Sequence, residues 1–298
     1  MAHGPISNHQ LREYHDQGFV LAKGFFDGAE IELLHRAAKE DRELDRHSFA
    51  RADGEGGQVR LSLWNQPGDS IYGMFARCES MVRSAEAILE GEVYHYHSKM
   101  IMKDANVGGA WAWHQDYGYW YQNGVLFPLL TSAFLAVDRA SRENGCIQVI
   151  PHSHNLGRID HVLTGDQAGA DAERVTEILK RLPLAYVEME PGDTLFFHPN
   201  LLHRSDRNRS ENPRWSMICC YNAARNDPYK ESHHPRYTPL RVVPDSAILE
   251  IGIKRFGESS GDVSWLDVRT DESARTLTSR PSDATPSVPK QEDGRRSV

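Results

Sequence analysis

Val93-Tyr-His-Tyr-His-Ser-Lys-Met-Ile-Met102 is the stretch on which the fold turns. It is aromatic and β-branched, with polar residues at alternate positions, the period of a strand. Upstream of Gly91 the texture is mainly helical. A helix-like stretch begins at Leu11 to Tyr14 and ends near Gly18, and Phe19-Val20-Leu21 reads as a short strand. Asp27 is placed to cap a helix over Ala29 to Leu44, whose Ile31, Leu34, Ala37 and Ala38 share one face. Ser80 to Leu89 is a further helix, and residues 51–57 read as a loop. Downstream, strand-like runs cover Ser132 to Val137, Cys146 to Ile150, Ala185 to Met189, Thr194 to Phe197 and Trp215 to Tyr221. Turn residues punctuate them at Glu143-Asn144-Gly145 and Pro191-Gly192-Asp193, and Ala172 to Leu182 is an inserted helix. Several short strands with such turns predict a mainly β fold with flanking helices, a sandwich or jelly-roll barrel.

Composition bounds the function. The chain has 298 residues, 39% hydrophobic and 26% charged, which is globular usage. Lys+Arg is 34 against 42 Asp+Glu, a net charge of −8, which argues against a nucleic-acid partner. The longest mostly apolar run, Phe127 to Val137, is broken by Pro128, Thr131 and Ser132, so no membrane span is expected. No basic region followed by an apolar stretch opens the chain, and the four cysteines form no CxxC pair. A reducing, cytoplasmic setting is therefore expected. One domain is expected over residues 1–273. The Ser-, Thr-, Pro- and charge-rich segment 274–298 is expected to be a disordered tail.

The chemistry centres on Trp113-His114-Gln115-Asp116. Residues two apart on a strand share a face, so His114 and Asp116 would offer a ring nitrogen and a carboxylate oxygen to one point. That is two-thirds of the two-histidine, one-carboxylate triad of non-haem Fe(II) oxygenases. His203 is the best candidate for the third ligand. It follows the Gly192-Asp193 turn and a strand. Arg214, eleven residues on, would return beside His203 on an antiparallel neighbour and grip a carboxylate. In Tyr94 to Lys99, alternation puts His95, His97 and Lys99 on one face. If that face points inward, His95 would bond the keto-acid end of a co-substrate and His97 would sit nearer the substrate. An inward lysine would need a carboxylate partner.

In this order the motifs resemble those of the phytanoyl-CoA dioxygenase family of Fe(II)/2-oxoglutarate oxygenases, over roughly residues 11 to 222. The likeness runs from Tyr14 to Gly24, through Glu143-Asn144-Gly145 and Pro151-His-Ser-His154, to His203-Arg-Ser205, Asn208 and Arg214. It implies a double-stranded β-helix (jelly-roll, cupin-like) core and iron ligands His114, Asp116 and His203. It implies that Arg214 binds the distal carboxylate of 2-oxoglutarate, helped by Ser205, and that dioxygen is the oxidant. An intact Asp116 favours hydroxylation, desaturation or ring chemistry over halogenation, since related halogenases replace that carboxylate. Within the family, Trp113 to Trp120 is most similar to the signature of ectoine hydroxylases. Trp120 and Phe197 match pocket-lining aromatics there, and Lys103 fits the pattern as a further substrate-site residue. His97, Ile101 and Ile218 depart from it at positions that would read ectoine.

The expected partner is a small-molecule substrate, such as an amino-acid derivative, an amine or a natural-product intermediate, taken by a monomer or homodimer. Two other readings use the same residues. One is a non-catalytic jelly roll that binds a small ligand. The other is a zinc-dependent hydrolase, because two histidines and a carboxylate also hold Zn. His233-His234 read as loop residues, and Cys219-Cys220 as buried small hydrophobes.

Overall fold

The computed structural model describes residues 4–53, 56–254 and 264–267. The segment 274–298, expected to be a tail, lies outside the described residues. Eight helices are described: α1 (Asn8–Gln17), α2 (Gly28–Glu40), α3 (Arg42–Arg46), α4 (Ile71–Arg77), α5 (Glu79–Leu89), α6 (Asp116–Trp120), α7 (Ala172–Leu179) and α8 (Ala247–Lys254). The strands are β1 (Phe19–Ala22), β2 (Phe49–Ala52), β3 (Gln58–Trp64), β4 (Val93–Lys103), β5 (Trp111–His114), β6 (Leu130–Ala136), β7 (Ile147–Val149), β8 (His161–Thr164), β9 (Gln167–Ala170), β10 (Ala185–Val187), β11 (Thr194–Phe197), β12 (His203–Ser205) and β13 (Arg214–Ala223). Among the described residues, no helix is long and apolar enough to cross a membrane.

Two antiparallel sheets face each other. The larger has the order β1-β11-β6-β13-β4-β3-β2, the smaller β10-β7-β12-β5. Sequence neighbours are mostly not sheet neighbours, which is the winding of a jelly roll. Between the sheets, Tyr96, Ile101, Phe134, Phe197 and Ile218 of the large sheet meet Ile147, Val149 and Val187 of the small one. The other face of the large sheet, including Met100, Met217 and Tyr221, is covered by apolar residues of α2, α4 and α5. Each inner face therefore loses water to its opposite sheet or to a helix, and hydrophobic burial sets the layer order.

Three expectations are corrected. The helix over Ala29 to Leu44 is two helices, because Asp41 accepts the Glu43 and Leu44 amides and caps a second one. Arg51 and Ala52 belong to β2, which pairs antiparallel with β3. The alternation along β4 is broken. Cys220 pairs with His97 and Tyr221 with His95, so Tyr96 is an extra residue opposite β13. This bulge resets the side-chain phase. Tyr94 and Tyr96 face inward before it, while His97, Lys99, Ile101 and Lys103 face cavities after it.

Candidate metal centre and co-substrate pocket

His114 ends β5 and His203 begins β12, and the two are register partners across the small sheet. Asp116 is not on the strand. It opens the helical turn α6, so the chain bends back and brings the carboxylate in from the side. The Nε2 atoms of His114 and His203 lie 3.7 Å and 3.9 Å from Asp116 Oδ1. One ligand atom from each residue falls within 4.8 Å of the other two, and all three side chains are buried.

The hydrogen bonds around the triad fix its chemistry. His114 Nδ1 donates to the Ala112 carbonyl at 2.8 Å, and His203 Nδ1 to the Leu201 carbonyl at 2.9 Å. Each ring therefore carries its proton on Nδ1 and presents the Nε2 lone pair to the centre, the state a metal ligand requires. Asp116 Oδ1 accepts from the Tyr119 hydroxyl at 2.7 Å, and Oδ2 from Ser132 at 2.8 Å. Burial alone would push the Asp116 carboxyl up. The His114 imidazole and the charge of Lys99 outweigh it and hold the group well below its ordinary value. Burial presses His203 down to about 3. A carboxylate oxygen and two ring nitrogens converging on one point suit a divalent transition metal.

Gln115, between the ligands, turns the other way and pins the segment. Its side-chain amide donates to the Gly157 and Asn200 carbonyls, its oxygen accepts from Ile159, and its backbone N–H donates to His161 Nε2. Gly118 leaves the room this needs, since a Cβ there would stand 2.0 Å from the His161 ring.

A cavity of about 480 Å³ leads from the triad to Arg214, lined by Trp111, Phe134, Phe197, Ser205 and Ile218 among others. Arg214 does not arrive on a neighbour of β12. It stands on β13 of the opposite sheet and meets Ser205 across the cavity. Its guanidinium donates to the Gly145 carbonyl at 3.2 Å and 2.8 Å and to Ser216 Oγ at 3.1 Å. Gly145 holds φ at +80°, and a Cβ there would lie 2.3 Å from the Asp206 carbonyl oxygen. Only glycine aims that carbonyl at the arginine. Lys103, the register partner of Arg214, is fully buried beside it and donates to the Asp206 carbonyl. Burial lowers Arg214 to about 10 and holds Lys103 well below its usual value. Among the described residues, no carboxylate lies within ion-pair distance of either cation.

The other anticipated residues separate. Phe197 lines the cavity with its ring 4.8 Å from that of His203. His97 borders a second cavity. His95 points to the opposite face of β4, where it bonds the Asn65 carbonyl and Ser98, because the bulge turns it away. Trp120 is fully buried behind His97 and Tyr96, one helical turn beyond Asp116. Lys103 sits at the Arg214 end and not at the substrate end. Gln115, the bond of Tyr119 to Asp116, Ser132, His161 and His234 were not anticipated. Only the crowding of aromatic and polar residues around His114 hinted at the first two.

A jelly roll with a buried His-Asp-His cluster, and a guanidinium without an acid partner at the far end of the same cavity, defines an oxygenase that uses a metal and a keto acid. The family model described as phytanoyl-CoA dioxygenase (PhyH) matches residues 14–216, and the chain belongs to that family. It is an Fe(II)/2-oxoglutarate-dependent dioxygenase, with Fe(II) as its metal, 2-oxoglutarate as co-substrate and O2 as oxidant. The chain is 30% identical to L-proline trans-4-hydroxylase of Streptomyces griseoviridis over 194 residues, covering 60% of this chain and 71% of that protein. It is 27% identical to ectoine dioxygenase of Halomonas elongata over 267 residues, covering 83% and 79%. The crystal structure of EctD from S. alaskensis with bound Fe shares the fold, with a TM-score of 0.69 at 22% identity, covering 81% of this chain and 89% of that one.

Proposed function

We propose that the protein hydroxylates a small molecule, an amino-acid derivative, amine or natural-product intermediate, within a single unit spanning residues 1–273. The observation that carries this reading is the buried guanidinium of Arg214, with Lys103 beside it, in the cavity that also holds the triad. A buried cation without an acid calls for an anion, and a dicarboxylic keto acid reaching from the metal supplies it. The names of L-proline trans-4-hydroxylase and ectoine dioxygenase support a compact ring-bearing substrate.

His114 and His203 would hold the metal through Nε2 and Asp116 through a carboxylate oxygen. Iron(II), when bound, lets dioxygen split 2-oxoglutarate into succinate and CO2, placing one oxygen atom in succinate and the other in the substrate hydroxyl. The chain's own groups position and shield this reaction. Arg214 grips the distal carboxylate through its planar fork, with Ser205 as a further donor and Lys103 adding charge. Phe134 and Ile218 keep that end dry and strengthen the grip, while Phe197 packs beside His203 at the other end. Tyr119 and Ser132 fix both oxygens of Asp116.

The test is oxygen uptake by the Fe(II)-loaded protein with 2-oxoglutarate and a panel of small amino acids and amines, with products identified by mass. A hydroxylated product formed with equimolar succinate supports the reading. Turnover of any substrate without oxygen or 2-oxoglutarate contradicts it.

A further inference from the structure

Beside the first cavity lies a second, of about 550 Å³, lined by His97, Lys99, Trp111, Tyr119 and His234 among others. Lys99 and Trp111 belong to both cavities, Arg214 and Lys103 only to the first, and His97 and His234 only to the second. Tyr119 ties the second wall to the metal centre through its bond to Asp116. A molecule here would stand beside the triad.

Two polar groups in this wall lack partners. Lys99 is 8% exposed and forms no hydrogen bond or ion pair among the described residues. Asp116, which feels the charge of Lys99, already accepts from Tyr119 and Ser132 and belongs to the triad, and Asp166 of the same wall accepts from the Ala52 amide and forms no ion pair with Lys99 among the described residues. A divalent ion at the triad would leave Lys99 facing a second cation. His97 is 2% exposed, and its Nδ1 has no hydrogen-bond partner. Buried polar atoms are nearly always bonded, so His97 Nδ1 is an exception that requires a reason, while Lys99 leaves its ammonium to whatever fills the cavity.

The cap on this chamber comes from the segment after β13. The His234 ring stacks on that of His97, with centroids 4.5 Å apart and planes 14° from parallel. Asn65 fastens the segment by accepting from His234 Nδ1 at 3.1 Å and donating to the His233 carbonyl at 2.6 Å. Burial holds His97 well below its ordinary pKa, so it offers a neutral ring beside the ammonium of Lys99.

We infer that the substrate carries a carboxylate, received by Lys99 and His97 in this second chamber under the His234 cap. The inference rests on the oxygenase reading of the first cavity. A carboxylate satisfies the ammonium and the ring nitrogen together. It also enters from the side that Arg214 and Lys103 do not reach. The competing source of the same chemistry is the carboxylate at the metal-binding end of 2-oxoglutarate.

The test is calorimetric titration of the full-length protein under nitrogen, with Fe(II) and saturating 2-oxoglutarate. The probes are L-proline, L-pipecolate and ectoine, against the acid-free amines pyrrolidine and piperidine. At least one acid should bind, on the order of 30-fold more tightly than the amines. Lys99→Met should weaken that acid by a similar factor and Lys99→Arg should retain it. The wild-type comparison of acids with amines decides even if Lys99→Met does not fold. Amines that bind as well as the acids, or acids that bind only when 2-oxoglutarate is left out, overturn the inference. So do acids that all fail to bind, or that bind Lys99→Met unchanged. Acid binding without succinate formation in air would remove the oxygenase reading and leave the carboxylate site standing.

Discussion

His114 and His203 are register partners on adjacent antiparallel strands, with ring centroids 4.0 Å apart, and each donates Nδ1–H to the carbonyl two residues before it. The same local device thus appears twice, on β5 and β12. It fixes the tautomer of both rings before any metal arrives, so binding need not reorder them.

Tyr119 and Ser132 orient the third ligand, so Tyr119→Phe or Ser132→Ala should cost on the order of 10–100-fold in Fe(II) affinity. His203→Ala should abolish binding at the same metal concentration. Competition against a chromophoric chelator measures all three. Unchanged affinity in both Asp116-partner variants would show that the carboxylate is held by other means.

Gly118→Ala should disturb the site without touching a ligand. The added Cβ meets the His161 ring at 2.0 Å, and that ring is held by Ile159 and Gln115 and cannot swing aside. Overpacking of this kind costs about 1–3 kcal/mol. A lowered urea midpoint together with weakened Fe(II) binding is expected. Wild-type values for both would mean that the turn has slack.

Arg214→Lys keeps the charge and loses the fork that bonds the Gly145 carbonyl and Ser216. The KM for 2-oxoglutarate should rise on the order of 10–100-fold, with a smaller effect on the KM for the organic substrate. The reverse pattern would move Arg214 to the substrate site.

Acid should destabilise the fold over a defined window. Burial lowers His95 and His161 from 6.5 to about 4. Between those values the unfolded chain binds protons that the folded chain refuses, so stability is complete above pH 6.5 and is lost as the pH falls toward 4. The cost is roughly 2 kcal/mol per histidine at pH 5. Urea midpoints at pH 7.5 and pH 5 measure it, and His161→Gln should remove part of the difference. A midpoint independent of pH across this window would contradict it.

The strands β1, β4, β6, β7, β10, β11 and β13 and the order of the motifs were legible in the sequence because each is local. Period-two patterning and turn residues are written in neighbouring positions. The reach of Arg214 was not, because it depends on which sheet β13 joins, and that is set by pairing with β4 and β6. His95 was misplaced for a related reason. One unpaired residue, Tyr96, inverts the face of everything before it, and a bulge leaves no mark in the alternation of types. The pairing of β2 with β3 was not read either, because the glycines at 54, 56 and 57 suggest a loop by composition. His234 gave no signal at all, since a histidine in a polar stretch acquires meaning only when the chain returns over His97.

The central claim is that one cavity joins a metal held by His114, Asp116 and His203 to a keto acid held by Arg214. Succinate release from 2-oxoglutarate by the purified protein, in air with Fe(II), tests it most directly when wild type is compared with His114→Ala and Arg214→Ala. The wild type should form succinate only when all three components are present, and both variants should fall to the level of the metal-free control. Equal succinate from all three proteins would contradict the claim.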